Sequence, residues 1–251
     1  MGEKKYPGMV SKAARLKSQE VTDAEIEKIN QYSLSPLSAD EVFTFKAVLC
    51  DNAVDRQNEH FNLATLNQLK ELFLGKTVIK DHEWSSDNQV ARIYDTELVE
   101  VSKADDDSEP YTQLVAHCYM VKTSSNADLI AEIKGGIKKE GSVGFAIGSF
   151  ICDICGCDNR ESYCKHFPGV EYDGTVCTFT LDNATDAYEF SLVAVPAQKA
   201  AGACKSYNGE TVYPVAEKAS EPNAELDSAK KLSIRARKLA LASKLSTYDE
   251  N

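Results

Sequence analysis

The sequence predicts an α+β fold, mainly antiparallel β with a few flanking helices, and three observations carry that expectation. Short runs rich in Val, Ile, Phe and Tyr recur between turn-forming clusters. Only two or three stretches keep the 3.6-residue apolar period of an amphipathic helix. Finally, 251 residues with 43% hydrophobic and 8% aromatic content can bury a sizeable core. Many short strands with few helices point to a barrel or a sandwich decorated by helices.

The elements follow in order. Residues 1–20 are polar and basic, with Pro7 and Gly8, and read as an arm. Thr22-Asp23-Ala24-Glu25 is a capping box, in which the Thr oxygen accepts an early backbone N–H and the Glu reaches back. A short helix to about Tyr32 follows, ended by Ser35-Pro36. Glu41 to Cys50 reads as a strand, and Leu63, Leu66, Leu69, Leu72 and Phe73 form a helix stopped by Gly75. Thr77 to Lys80 is a short buried strand. Gln89–Val101 and Tyr111–Val121 form a hairpin around the acidic run at Asp105, Asp106, Asp107 and Glu109, a solvated tip. Ala127 to Ile137 is a helix, Ser142 to Cys152 a strand, and Val176–Leu181 and Tyr188–Val195 two further strands. From about Ala203 to Asp227 the composition turns to Gly, Pro, Ser and Glu, a linker. Ser228 to Leu245 is a basic amphipathic helix, with Lys230, Lys231, Arg235, Arg237, Lys238 and Lys244 among its leucines. It suits either docking on its own domain or contact with a partner.

The formal charge of -11 argues against a uniformly basic nucleic-acid surface. No stretch approaches the roughly 20 apolar residues of a bilayer span, and the N-terminus carries no apolar signal region. The expectation is a soluble chain made in the cytoplasm. Four of eight cysteines fall between Cys152 and Cys164, which in a reducing compartment reads as a metal site rather than a disulfide framework.

Three positions are candidates for chemistry. His82 follows the short strand in Val-Ile-Lys-Asp-His-Glu-Trp, where an imidazole can be partly buried yet face a cleft; such a ring serves as a general base or simply bonds a neighbouring carboxylate. Ser142 lies in Gly-Ser-Val-Gly, whose glycines leave the hydroxyl unobstructed, although a plain turn before a strand accounts for the same residues. Glu140 stands where the α/β-hydrolase elbow needs Gly. Glu189 sits in an otherwise apolar strand, where a carboxylate either finds a partner or points to solvent.

The order His82, Ser142, Glu189, each in its surroundings, resembles the prohead (capsid maturation) serine proteases of tailed bacteriophages, which are related in fold to the herpesvirus assemblins. The resemblance spans about Glu41 to Ala201 and rests on four blocks: Asp51 to Phe61, Lys80-Asp81-His82, Gly141 to Phe145, and Glu189 to Ala197. It implies a herpesvirus-protease-like antiparallel barrel over residues 41–202. It implies peptide hydrolysis with Ser142 as nucleophile, His82 as base and Glu189 orienting the imidazole. Assemblins use a second histidine as third member, but His117 precedes Ser142, so Glu189 takes that place. His60 lies in the first block and reads as structural. The implied substrates are scaffold, the amino-terminal region of the major capsid protein, and the chain itself, inside a procapsid in the host cytoplasm, with homo-oligomerisation left open.

Cys152-Asp-Ile-Cys155 is a knuckle, followed by Cys164-Lys-His166. Three thiolates and an imidazole make a closed tetrahedral zinc site, and closure by four protein ligands makes the metal structural. Cys157 is a substitute for any of the thiolates. The expected result is a zinc-binding insert over residues 152–169, beside the substrate cleft. Two rivals remain: an inactive, zinc-stabilised scaffold protein of capsid assembly, and a zinc-ribbon nucleic-acid binder, which the charge disfavours.

Overall fold

The computed structural model describes residues 21–102, 109–198, 200–207 and 210–212, all within the unit Met1–Val215. The expected arm, most of the acidic tip, and the basic C-terminal helix lie outside the described residues.

Helix α1 (Asp23–Asn30) starts at the expected capping box: Thr22 caps the Glu25 N–H while the Glu25 carboxylate accepts from the Thr22 N–H at 2.9 Å. Its Ile29 is buried against Val42, Tyr94 and Tyr119. Strand β1 (Val42–Asp51) leads to β2 (Glu59–Phe61), and α2 (Leu63–Leu72) begins at Asn62, whose side chain accepts from Thr65 N. The α2 face carrying Leu66 and Leu69, with Phe73 beyond it, joins the main core. Then come β3 (Thr77–Lys80), β4 (Ala91–Ser102), β5 (Tyr111–Val121), α3 (Ala127–Lys134) and β6 (Gly141–Cys152). A small hairpin, β7 (Glu171–Tyr172) and β8 (Thr175–Val176), precedes the long β9 (Phe179–Leu192). Strands β10 (Gly202–Ala203), β11 (Lys205–Tyr207) and β12 (Glu210–Val212) complete the description, the last two as a hairpin inside the segment read as a linker.

The fold is α+β with an eight-stranded, mainly antiparallel sheet in the order β10-β1-β5-β4-β3-β9-β2, with β6 also on β9. Only β2 and β3 run parallel to their neighbour β9. This path is open rather than a closed barrel. One isolated bridge, Glu140 to Gly202, joins the chain just before β6 to β10.

The two strands expected at 176–195 are a single strand. The Asp182-Asn183 pair looks like a break in sequence, but the chain absorbs it: Asn183 takes a left-handed φ of 56° and β9 stays paired with β6 across two irregularities. One irregularity pairs Gly144 with Glu189 but Phe145 with Ala187, leaving Tyr188 as the extra residue.

Candidate active site and metal centre

The site is built on three adjacent strands. β3 and β6 flank the C-terminal half of β9, with Ile79 and Ser142 both in register with Ser191, and Thr77 and Gly144 both in register with Glu189. Side chains alternate along a strand and opposed residues share a face. Val78 and Phe190 therefore turn to the core, where both are fully buried, while Glu189, Ser191 and Ser142 share the other face.

Two glycines of Gly-Ser-Val-Gly have spatial duties. A Cβ on Gly141 would come within 2.1 Å of the Phe190 ring, and one on Gly144 within 2.6 Å of Glu189 Oε1. Their absent side chains make room for a core phenylalanine and for the carboxylate, respectively.

Beyond β3 the chain turns through Asp81 and His82, with φ of 53° and 54°, and the Glu83 N–H returns to the Lys80 carbonyl at 3.0 Å. Two successive positive φ values closed by that bond match a type I′ turn made without glycine. Asp and His tolerate the left-handed region better than most residues, yet each such residue is strained by about 1–2 kcal/mol. The turn swings the His82 ring over Glu189: Nδ1 donates to Glu189 Oε1 at 2.7 Å. The second carboxylate oxygen accepts from Ser191 Oγ at 2.7 Å, and Ser191 Oγ accepts the His82 backbone N–H at 3.1 Å.

All four histidines have partners, so pairing alone does not distinguish them. His60 meets Asp153 at 3.0 Å and Thr180 at 3.2 Å, and His117 meets Glu97 at 2.9 Å. Glu97 and Asp153 are partly exposed, whereas Glu189 has 3% of its side chain exposed beneath an imidazole that is 43% exposed. A buried acid under an accessible ring can hold one nitrogen and offer the other to a substrate. His117, on β5, is engaged away from this pair.

Ser142 is brought to the same face and is partly exposed, but no hydrogen bond joins its hydroxyl to the His82 ring among the described contacts. It stands directly across the ladder from Ser191, which puts their Cβ atoms about 5 Å apart. Ser191 was not singled out from sequence, although Glu-Phe-Ser at strand spacing puts its hydroxyl on the carboxylate's face. Fully buried and bonded to Glu189, Ser191 is no rival nucleophile. An open groove of about 450 Å³ reaches Glu189 and is lined by Lys76, Thr77, Ile79, Trp84 and Tyr188, among others; neither His82 nor Ser142 is among its lining residues. Trp84 and Tyr188 meet there with centroids 5.4 Å apart.

The first and last blocks behind the resemblance are tied together structurally. Gln198 brackets Asp51 by accepting its N–H at 2.6 Å and donating to its carbonyl at 3.0 Å, while Arg56 donates to the Pro196 carbonyl. Burial pushes the Asp51 carboxyl up, against donors from Ala53 N and the Tyr111 hydroxyl.

The second centre is the cysteine cluster. Ligand atoms of Cys152, Cys155, Cys164 and His166 lie within 4.8 Å of one another. Tetrahedral bonds of about 2.1–2.3 Å set ligand atoms roughly 3.5–3.8 Å apart, and Cys152 Sγ is 3.7 Å from His166 Nδ1. The donor set therefore fits a metal ion. Gly156, at φ 70°, turns the knuckle, and its N–H bonds the Cys152 carbonyl at 2.8 Å. Burial raises the Cys152 thiol, but backbone N–H groups of Cys155 and Ile154 and the side chains of Cys155 and Cys164 outweigh it and hold it below its ordinary value. Cys177 is a near neighbour, 3.8 Å from Cys152 Sγ, and burial first and then Cys152 push its thiol up to about 12. Cys157 turns its sulfur to the Ser162 carbonyl at 3.0 Å and does not join the four.

Contrary to the expectation of an insert beside the substrate cleft, the excursion does not lie beside the groove. Cys152 pairs with Phe179 at one end of the β6–β9 ladder, and Ser142 with Ser191 at the other. Ten residue steps along β6 separate Ser142 from Cys152, roughly 30 Å at about 3.3 Å per step. The excursion is also longer than expected, running over residues 153–178 and including β7 and β8.

No helix among the described residues is long and apolar enough to cross a membrane. Comparisons with family models, with curated proteins and with solved structures give no match for this chain.

Proposed function

We propose that the chain is a serine endopeptidase of prohead maturation, cutting scaffold, the amino-terminal region of the coat protein, and itself. One observation carries the chemistry: the accessible imidazole of His82 is held at Nδ1 by the buried Glu189, two residues along β9 from Ser191, which is the ladder partner of the serine of Gly-Ser-Val-Gly. The phage assignment is supported by the four sequence blocks.

A serine hydroxyl is a weak nucleophile at neutral pH and needs a base. In the proposed reaction Ser142 rotates toward His82 Nε2, a contact that commonly tightens only when substrate is bound. As Ser142 Oγ attacks the peptide carbonyl, Nε2 takes its proton. Nε2 then protonates the departing amine as the C–N bond breaks, leaving an acyl-serine. Water hydrolyses the acyl-serine by the same relay. Glu189 accepts the Nδ1–H throughout and stabilises the imidazolium. The open sheet is read as an incompletely closed version of the barrel of this class, with the isolated Glu140–Gly202 bridge spanning the gap. The four-ligand cluster is read as structural zinc, because four protein ligands leave no position for a catalytic water.

The test is the full chain, wild type against Ser142→Ala, followed by intact mass and by labelling with a fluorophosphonate. The wild type should lose terminal segments and form a phosphonyl ester at Ser142, breaking P–F and forming P–O. Equal processing of both chains would exclude Ser142 as nucleophile. A wild type that stays intact and unlabelled would favour the inactive scaffold reading.

A further inference from the structure

We infer that Ser191 is a positioning residue that sets the His82–Glu189 pair, an inference that rests on the proteolytic reading of the same site. Its hydroxyl is used twice. The proton goes to Glu189 Oε2 at 2.7 Å, and a lone pair accepts the His82 N–H at 3.1 Å. Glu189 Oε1 is taken by His82 Nδ1 at 2.7 Å, so both carboxylate oxygens are fixed and the group cannot turn about its last bond.

The backbone contact matters equally. The turn after β3 exposes three consecutive N–H groups: Asp81 bonds the Leu192 carbonyl at 3.0 Å and Glu83 bonds the Lys80 carbonyl at 3.0 Å. The middle group, on His82 itself, has a side-chain oxygen as its partner. At φ 54° His82 is in a region few non-glycine residues occupy, and such conformations persist only when their surroundings over-determine them. Ser191 supplies that determination from inside the sheet, where it is 0% exposed. One hydroxyl thereby couples the main chain of the base to the side chain of its acid.

The experiment compares wild type with Ser191→Ala, which removes a single oxygen. Two readouts are used: hydrolysis kinetics at the self-cleavage site presented as a peptide, and the His82 Nδ1–H proton resonance in histidine-labelled protein carrying Ser142→Ala. Ser191→Ala should lower kcat by about 10- to 100-fold, the scale of a sub-ångström misplacement, with KM within about two-fold. In the Ser142→Ala background the resonance should broaden into exchange with water once Ser191 is replaced. A kcat within about two-fold of wild type, or an unchanged resonance, overturns the inference. So does a global loss of folded signals, because Ser191 would then serve the fold alone. If the wild type fails to hydrolyse peptide, the protease reading falls, and the resonance still decides the role of Ser191.

Discussion

Replacing Gly144 by alanine sets one methyl group against the carboxylate that holds His82. The new Cβ would stand 2.6 Å from Glu189 Oε1 and 3.3 Å from its Cδ. Tolerable contact begins at about 3.0–3.4 Å, so the oxygen must retreat by about 0.4–0.8 Å. It cannot do so freely, because the other oxygen is held by Ser191 and the side chain is buried. A retreat of that size carries the 2.7 Å bond to His82 toward or past the ordinary hydrogen-bond limit of about 3.2 Å. Displacements near 1 Å cost about 100-fold in rate, so Gly144→Ala should slow phosphonylation of Ser142 by about 10- to 100-fold. Overpacking should also cost about 1–3 kcal/mol of stability. The control is Gly148→Ala on the same strand, whose Cβ would meet the amide nitrogen of Asn183 at 2.3 Å. Asn183 is exposed and its amide can swing away, so that variant should label at close to the wild-type rate. Pseudo-first-order labelling rates, with melting curves for each variant, decide the matter. Labelling of Gly144→Ala within about two-fold of wild type would refute the argument that Glu189 acts through its contact with His82.

Two further outcomes follow from other parts of the fold. Stripping the metal with a chelator should open residues 153–178 to limited proteolysis while changing the Ser142 labelling rate by less than about three-fold, since the two ends of the ladder lie roughly 30 Å apart; a collapse of labelling in step with metal loss would contradict that separation. Asp182 accepts from Asn62, then from the Asn183 N–H and Thr65, and these donors hold its carboxyl below the ordinary aspartate value. Its stabilisation is thus fully present above pH about 4 and is lost as pH falls through the depressed value. Asp182→Asn should melt with less acid sensitivity than wild type between about pH 5 and 2.5, and identical acid profiles would count against the assignment.

Local signals were readable where one residue type has one physical use. The capping box of α1, the helical leucines of α2 and the four-residue β3 all stand where their patterns put them. The convergence of His82 with Glu189 was legible only through the spacing of the sequence blocks, because nothing local in either segment specifies the other. Ser191 was missed for an instructive reason: strand alternation already put it on the face of Glu189, but a buried hydroxyl leaves no pattern until its partner is known. The glycines of Gly-Ser-Val-Gly were read as clearance for the serine, whereas Gly141 and Gly144 accommodate Phe190 and Glu189 from the neighbouring strand. The metal ligands were legible from spacing because the knuckle is local. Their distance from the groove was not, because it depends on which ends of β6 and β9 the connection joins.

That connection has a consequence for how the chain can change. β6 and β9 are joined through 26 residues, 153–178, where two such strands often need only a short turn. Asp153 fastens the start of the excursion through Thr178, Thr180 and His60, and Phe150 stacks on Phe179 with centroids 4.5 Å apart. Doubling a flexible loop costs only about 0.6 kcal/mol in closure entropy. The far tip of this ladder is therefore a tolerant place to graft, trim or exchange whole segments, and a foreign epitope or tag spliced there should leave the His82–Glu189 end undisturbed.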